Sequence, residues 1–145
     1  MSKKIIIVSI EVCDLPDIGI TDLQIRVDTG AKTSSLHVDN LEKFSKNGKP
    51  WVRFDIHPDV YHIEKVTRCE SPLHDVRSIK SSNGASEERY VINTLMRLGD
   101  RSWPIDITLT DRSDMSYLML LGRQGMEKRV LVDPSKNFIL TNQVN

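Results

Sequence analysis

An alternating apolar run, Leu23, Ile25 and Val27, stops at Asp28-Thr29-Gly30-Ala31, and this junction constrains the fold more than any other part of the chain. A period of two marks a β-strand with one buried face. Such a strand holds the Asp28 carboxylate rigidly at its end. Gly30 lets another backbone approach where a Cβ would collide. The Thr29 hydroxyl donates one hydrogen bond and accepts another, so it can brace the loop. Near the other end of the chain, Leu120-Leu121-Gly122 answers it with a short apolar run. Two such loops facing each other would share one proton between their carboxylates and act on a water, and the chain supplies one.

Strand signals dominate elsewhere. Ile5 to Val12 is a β-branched run closed by the turn cluster Asp14, Pro16, Asp17 and Gly19. Ser35 to Val38 continues as a strand. Lys46-Asn47-Gly48-Lys49 reads as a hairpin turn, because Asn-Gly accepts positive φ cheaply, and Trp51 to Ile56 alternates after it. Residues 58–88 are polar and irregular, with Ser81-Ser82-Asn83-Gly84 as a hairpin tip. Tyr90 to Leu98 and Trp103 to Leu109 are two strands joined at Gly99-Asp100. Leu118 to Leu121 is a short buried strand, and Gln124 to Arg129 makes one or two helical turns. Val130 to Val132 and Phe138 to Leu140 finish as strands around Asp133-Pro134. Roughly nine short strands with frequent turns predict an all-β fold, a closed or partly open barrel, with one short helix near the C-terminus. Residues 1–145 read as a single domain, without repeats or linkers.

The composition excludes several classes. Twenty basic residues balance twenty acidic ones, so no global field draws the chain to nucleic acid or anionic lipid. Lys43, Lys46 and Lys49 read as a solvated turn. The apolar run at the N-terminus ends at Ile10 and is a first strand rather than a signal peptide. No segment approaches the ~20 apolar residues of a membrane helix. The two cysteines, Cys13 and Cys69, form no zinc-like spacing, and unpaired thiols fit a cytoplasmic location. Trp51 and Trp103 are expected in the core or at a dimer contact.

Asp28-Thr29-Gly30-Ala31, with Leu120-Leu121-Gly122-Arg123 and a short helical segment after it, resembles a retropepsin, one of the half-sized aspartic proteases that work as dimers. The longer string from Val27 through Lys32-Thr33-Ser34-Ser35-Leu36 to His37 is similar to a narrower bacterial family. So is Leu131-Val132-Asp133-Pro134. That family is labelled ATP-dependent zinc proteases and is associated with the ligase that adds glutamates to a ribosomal protein. The likeness runs from about Leu15 to Leu140.

The resemblance implies a barrel of the retropepsin type and a homodimer that brings two copies of Asp28 together at a twofold axis. Two carboxylates about 3 Å apart hold one proton between them; the ionised one activates water and the other polarises the peptide carbonyl. Asp28, Thr29 and Gly30 would be the catalytic loop. Ala31 and the flap tip Ser82, Asn83 and Gly84 would bind substrate, with Leu120, Leu121, Gly122 and Arg123 supporting the loop. The substrate would be a peptide or protein, with glutamate-modified tails suggested by the family's association. Many retropepsins carry an acidic residue directly after this string, paired with the later arginine. Here that position is Lys32, which leaves Asp133 or Glu127 as expected partners of Arg123.

The zinc and ATP labels find less in the residues. No His-Glu-x-x-His is present, and His37, His57, His62 and His74 are scattered, with His37 closest to the Asp28 loop. No cofactor is expected, zinc being the alternative. Gly30-Ala31-Lys32-Thr33 lacks the geometry of a phosphate-binding loop, so Lys32, Thr33, Ser34 and Ser35 read as polar loop residues. Cys69 lies near His62 and His74 in sequence but reads as a structural thiol. Three hypotheses follow: an aspartic peptidase, a zinc-dependent peptidase, and a non-catalytic module that binds a peptide or partner on the same fold.

Overall fold

The computed structural model describes residues 4–57, 66–80, 84–110, 118–127 and 129–137. Among these residues are eleven strands: β1 (Ile5–Leu15), β2 (Ile20–Val27), β3 (Ser34–His37), β4 (Asp39–Lys46), β5 (Lys49–Ile56), β6 (Thr67–Pro72), β7 (Asp75–Lys80), β8 (Ser86–Leu98), β9 (Arg101–Thr110), β10 (Met119–Leu121) and β11 (Val130–Asn137). Short 3-10 turns occur at Pro16–Ile18 and Arg123–Gly125. No helix among the described residues is long and apolar enough to cross a membrane.

Eight strands form one sheet in the order β11-β1-β2-β10-β3-β9-β8-β7, and β1 also meets β8 at Asp14 and Arg97, which bends the sheet into a ring. The expected all-β, barrel-like architecture is therefore present. Strands β4, β5 and β6 make a separate three-stranded sheet. Inside, Ile7, Leu15, Leu23, Ile25, Leu36, Ile92, Met96 and Ile107 are fully buried, and Val52, Phe54 and Ile56 of the smaller sheet join the same cluster. Each such side chain contributes on the order of 2 kcal/mol through removal of apolar surface from water.

The key topological feature is β10. It lies between β2 and β3, parallel to the first and antiparallel to the second. The loop joining β2 to β3, residues 28–33, must therefore arch over the end of β10.

Two turns match their sequence signals. Asn47 and Gly48 take φ of 54° and 76° between the paired residues Lys46 and Lys49. This is the positive-φ pair that a two-residue hairpin needs. Gly99, at φ 65°, turns β8 into β9.

Other elements differ from expectation. The irregular 58–88 stretch contains β6 and β7, and β4 was also unmarked by its sequence. In β6 the inward positions are Cys69 and Ser71, so a small thiol and a hydroxyl replace the branched residues that signal a strand. Instead of ending before Asp133-Pro134, β11 runs through it to Asn137, parallel to β1. The register slips between Val8 and Ile10, and a proline is tolerated at such an irregularity on an outer strand. Phe138 to Leu140 lies outside the described residues. The helical turns expected over Gln124 to Arg129 are one 3-10 turn, Arg123–Gly125, followed by backbone bonds from Met126 and Glu127 to the Arg123 carbonyl. Trp103 is buried, whereas Trp51 is half-buried on the smaller sheet, tilted against Phe44 with its ring beneath Lys46 Nζ at 4.3 Å.

Candidate active site

Asp28 follows the last residue of β2, and its N–H donates to the Leu121 carbonyl at 2.9 Å. Its backbone thus continues the β2–β10 ladder one residue beyond the strand. The loop then closes on itself: the Ala31 N–H donates to the Asp28 carbonyl at 3.2 Å, and the Gly30 N–H donates to Asp28 Oδ1 at 3.0 Å. The second bond fixes the carboxylate against its own loop, in the manner of an Asx turn. Asp28 is half-buried, while Thr29 and Gly30 are exposed. The site therefore opens outward.

Residues 121–124 hold the loop from below. Arg123 N–H donates to the Ala31 carbonyl at 2.8 Å, and Gln124 N–H to the Lys32 carbonyl at 3.0 Å. The Arg123 guanidinium reaches back to the Thr29 carbonyl at 3.3 Å. The 3-10 turn thus directs the Arg123 side chain at the loop, and of the two carboxylates expected beside it, Glu127 gives its backbone N–H to the Arg123 carbonyl, while the Asp133 side chain lies outside what the structure describes. Leu121 and Gly122 are buried, and Leu120 is half-buried. A Cβ on Gly122 would stand 2.5 Å from the Thr33 carbonyl carbon and oxygen, so only glycine lets the two segments touch.

Ser34 was read as a polar loop residue and is instead the first residue of β3, 1% exposed. Its hydroxyl oxygen accepts the Gly122 N–H at 3.0 Å, and its carbonyl accepts the Thr108 hydroxyl at 3.0 Å. Gly125 packs beside it, where a Cβ would lie 2.9 Å from Leu121 Cδ1 and 3.2 Å from Ser34 Oγ. Trp103 Nε1 donates to the Gly125 carbonyl at 2.8 Å. The one available signal was that Ser34 and Leu36 share the inward face of a short strand.

The flap-tip residues Ser82 and Asn83 lie outside the described residues. Gly84, at φ 84°, sits in the connection between β7 and β8, whose last pair is Lys80 and Ser86.

Of the histidines, His57 Nε2 lies 2.9 Å and His37 Nε2 4.0 Å from the Asp39 carboxylate, and His74 Nε2 lies 3.7 Å from Asp106. His62 lies outside the described residues. Among the described residues, no group of three or more His, Cys, Asp or Glu is placed to hold a metal ion. The described donors therefore do not fit the zinc of the family label.

Cys13 and Cys69 are both free and buried. Burial, and then the charge of Asp14, pushes the Cys13 thiol up to about 12; burial and Asp55 push Cys69 up to about 11. Neither is a nucleophile at neutral pH.

Known proteins resemble this chain over nearly its whole length. A Shewanella pealeana protein named "Probable alpha-L-glutamate ligase" is 48% identical over 138 residues, 95% of this chain and 30% of its own length. A Parasynechococcus marenigrum protein of the same name is 46% identical, over 92% of this chain and 29% of its own. The chain thus spans about a third or less of the curated relatives it matches. A crystal structure of a Legionella pneumophila protein of unknown function superposes with a TM-score of 0.78 at 29% identity, covering 95% of this chain and 99% of the other. Residues 6–143 match the model of the RimB-like family, described as retropepsin-like aspartic endopeptidase RimB, and the chain belongs to that family.

Proposed function

We propose that this chain is an aspartic peptidase whose working unit is a homodimer, with Asp28 of each subunit forming a shared dyad. The observation that carries this reading is the Asp28 loop itself. It is tied to β10 and the following turn by backbone bonds, it opens outward, and it occurs once per chain. A single outward carboxylate on a rigid loop suits a site completed by a second copy about a twofold axis.

In the proposed dyad the two carboxylates hold one proton. The ionised member takes a proton from water as that water attacks the peptide carbonyl, and the protonated member polarises the carbonyl oxygen. The titration then belongs to the pair rather than to either subunit. Thr29 would bond across the axis, Gly30 and Ala31 would line the cleft, and the β7–β8 hairpin would cover it. No metal or cofactor enters this chemistry.

The proposed substrate is a glutamate-rich tail. The relatives carry the name of a glutamate ligase, and the exposed residues flanking Asp28 include the cations Arg26, Lys32 and Arg123. Lys32 stands where many retropepsins place an acid, which favours an anionic chain over a neutral one. Buried free thiols agree with a cytoplasmic setting. A second reading is a non-catalytic module that binds the tail for a ligase, since the matched relatives are about three times longer and bear ligase names.

The test is hydrolysis of an oligoglutamate peptide by the wild-type chain, by Asp28→Asn, and in the presence of a chelator. Asp28→Asn should lower turnover by about a thousandfold or more with the dimer retained, and the chelator should have no effect. Turnover that survives Asp28→Asn would overturn the dyad. Tight binding by the wild type with no turnover would favour the binding module.

A further inference from the structure

The outer face of the three-stranded sheet carries an arrangement that the proposed peptidase chemistry does not use. Along β5, Val52 and Phe54 turn into the core and are fully buried, so the alternate residues Trp51 and Arg53 point away from it. The register sets Phe44 of β4 opposite Trp51, Lys46 opposite Lys49, and Pro72 of β6 on the other side of Trp51. Phe44 and Trp51 are half-buried, while Lys46, Lys49 and Pro72 are exposed. Two aromatic rings therefore stand on adjacent strands at the surface, with two lysines at the turn beside them.

Each ring holds a cation. Lys46 Nζ lies 4.3 Å from the Trp51 ring centroid, and the Arg53 guanidinium lies 4.2 Å from that of Phe44. Between Glu42 and Asp55 the chain has Lys43, Lys46, Lys49 and Arg53 and no acid. Glu42 approaches Arg53 at 3.9 Å and Glu70 pairs with it in register, so that end of the face is balanced. The turn end, with Lys46 and Lys49, keeps its positive charge. Zero net charge over the whole chain does not cancel it, because exposed charges beyond about 8–10 Å are screened at physiological salt.

Rings and cations side by side suit a ligand in which flat apolar faces alternate with negative charges. A single-stranded nucleic acid has both: bases stack on aromatic rings or on a guanidinium plane, and phosphates take the lysines. An acidic peptide would engage the lysines and leave the rings without a role. The two ring centroids stand 6.4 Å apart and tilted by 48°, about twice the ~3.4 Å repeat of one strand in a duplex. They therefore fit bases that are already unstacked, the condition in which single-stranded RNA presents them. We propose that this face of the β4–β5 hairpin binds single-stranded RNA, with one base on Trp51, a second on the Phe44–Arg53 pair, and phosphates on Lys46 and Lys49. The Lys46 side chain is long and exposed, so it leaves the indole for a phosphate as the base arrives. Neither β4 nor β5 belongs to the Asp28 loop or to the elements that hold it, so RNA binding and peptide hydrolysis are separable.

The experiment titrates the full chain into fluorescein-labelled decauridylate and reads anisotropy, with indole emission followed on unlabelled decauridylate. Trp103 is 4% exposed and bonded to the Gly125 carbonyl, so it gives a steady background to Trp51. Binding should saturate, quench the indole, and weaken as salt rises. Trp51→Ala should weaken the affinity by about fivefold or more, the scale of one lost base stack, and Trp51→Phe should restore most of it. Lys46→Gln combined with Lys49→Gln should weaken binding and flatten its salt dependence. Circular dichroism checks that each variant is folded. An affinity unmoved by Trp51→Ala in folded protein would overturn the proposal. So would a duplex of the same length that binds as tightly as the single strand. Hexaglutamate that displaces decauridylate at equal concentration would make the face a site for acidic chains instead. Failure of the wild type to bind decauridylate at about 50 mM salt, where phosphate contacts are strong, would remove RNA altogether and leave the peptidase reading untouched.

Discussion

Ser34 and Gly122, 88 residues apart in the chain, are joined by a buried hydrogen bond in which the glycine N–H donates to the serine hydroxyl oxygen at 3.0 Å. The bond locks the start of β3 to the residue after β10, and so fixes both ends of the arch that carries Asp28. Ser34→Ala should leave the Gly122 amide buried without a partner and cost roughly 1–3 kcal/mol of stability. Urea denaturation measures the loss. A change below about 0.5 kcal/mol, the scale of an ordinary surface substitution, would show that the bond does not hold the arch.

Gly122 and Gly30 should respond oppositely to alanine. At Gly122 the new methyl would stand 2.5 Å from the Thr33 backbone, which cannot move without displacing the loop. Gly122→Ala should therefore cost about 3 kcal/mol or more, or prevent folding. At Gly30 the nearest atom is Asp28 Oδ1 at 3.3 Å. Gly30→Ala should fold with a loss below about 1 kcal/mol, yet turn over peptide poorly because the methyl presses on the carboxylate. Denaturation midpoints and peptide hydrolysis on the same two variants separate the effects.

Much of this arrangement was legible in the residues. Leu23, Ile25 and Val27 alternate in sequence and lie on one side of β2, with Leu23 and Ile25 fully buried. Asn47-Gly48 could turn the chain in two residues because both accept positive φ. The missed strands carry weak apolar contrast: β4 is mostly exposed, and β6 turns Cys69 and Ser71 inward. Ser34 was misread for a related reason. A hydroxyl is polar wherever it lies, and only the tertiary pairing of β3 with β9 and β10 buries it. Arg123 likewise found a backbone carbonyl, a partner that no charge pattern announces.

The two thiols make a prediction about alkaline pH. Both are raised in the folded chain, to about 12 for Cys13 and about 11 for Cys69, chiefly because burial disfavours the thiolate. The unfolded chain ionises them near 9, so above that pH it holds fewer protons than the folded chain, and stability falls as pH rises. Each thiol contributes up to about 1.4 kcal/mol per pH unit between the two values. Cys13→Ser combined with Cys69→Ser should flatten the decline in denaturation midpoint above about pH 9. Native protein at pH 8 should also resist maleimide until unfolded.

Asp55 makes the acid-side counterpart. The Asn40 amide donates to Oδ2 at 2.8 Å and the Arg68 guanidinium to Oδ1 at 2.9 Å, and these hold the carboxyl below its ordinary value of 3.8. A depressed folded value means that its stabilisation is complete above the unfolded value and lost as pH falls through the folded one. The wild type should lose stability on acidification below about pH 4, and Asp55→Asn should lose less over the same interval. Denaturation midpoints at pH 5, 4 and 3 compare them; parallel declines would show that Asp55 has no part in holding β4 and β6 to β5.

The shared dyad is tested most directly by mixing subunits. Wild-type chain is combined with about a ninefold excess of Asp28→Asn chain, the mixture is allowed to exchange subunits, and oligoglutamate hydrolysis is followed at constant wild-type concentration. Random pairing leaves about a tenth of the wild-type subunits with a wild-type partner, so activity should fall to about a tenth. Undiminished hydrolysis, with exchange verified by a mass-tagged subunit, would show that one Asp28 suffices and would contradict a dyad drawn from two chains.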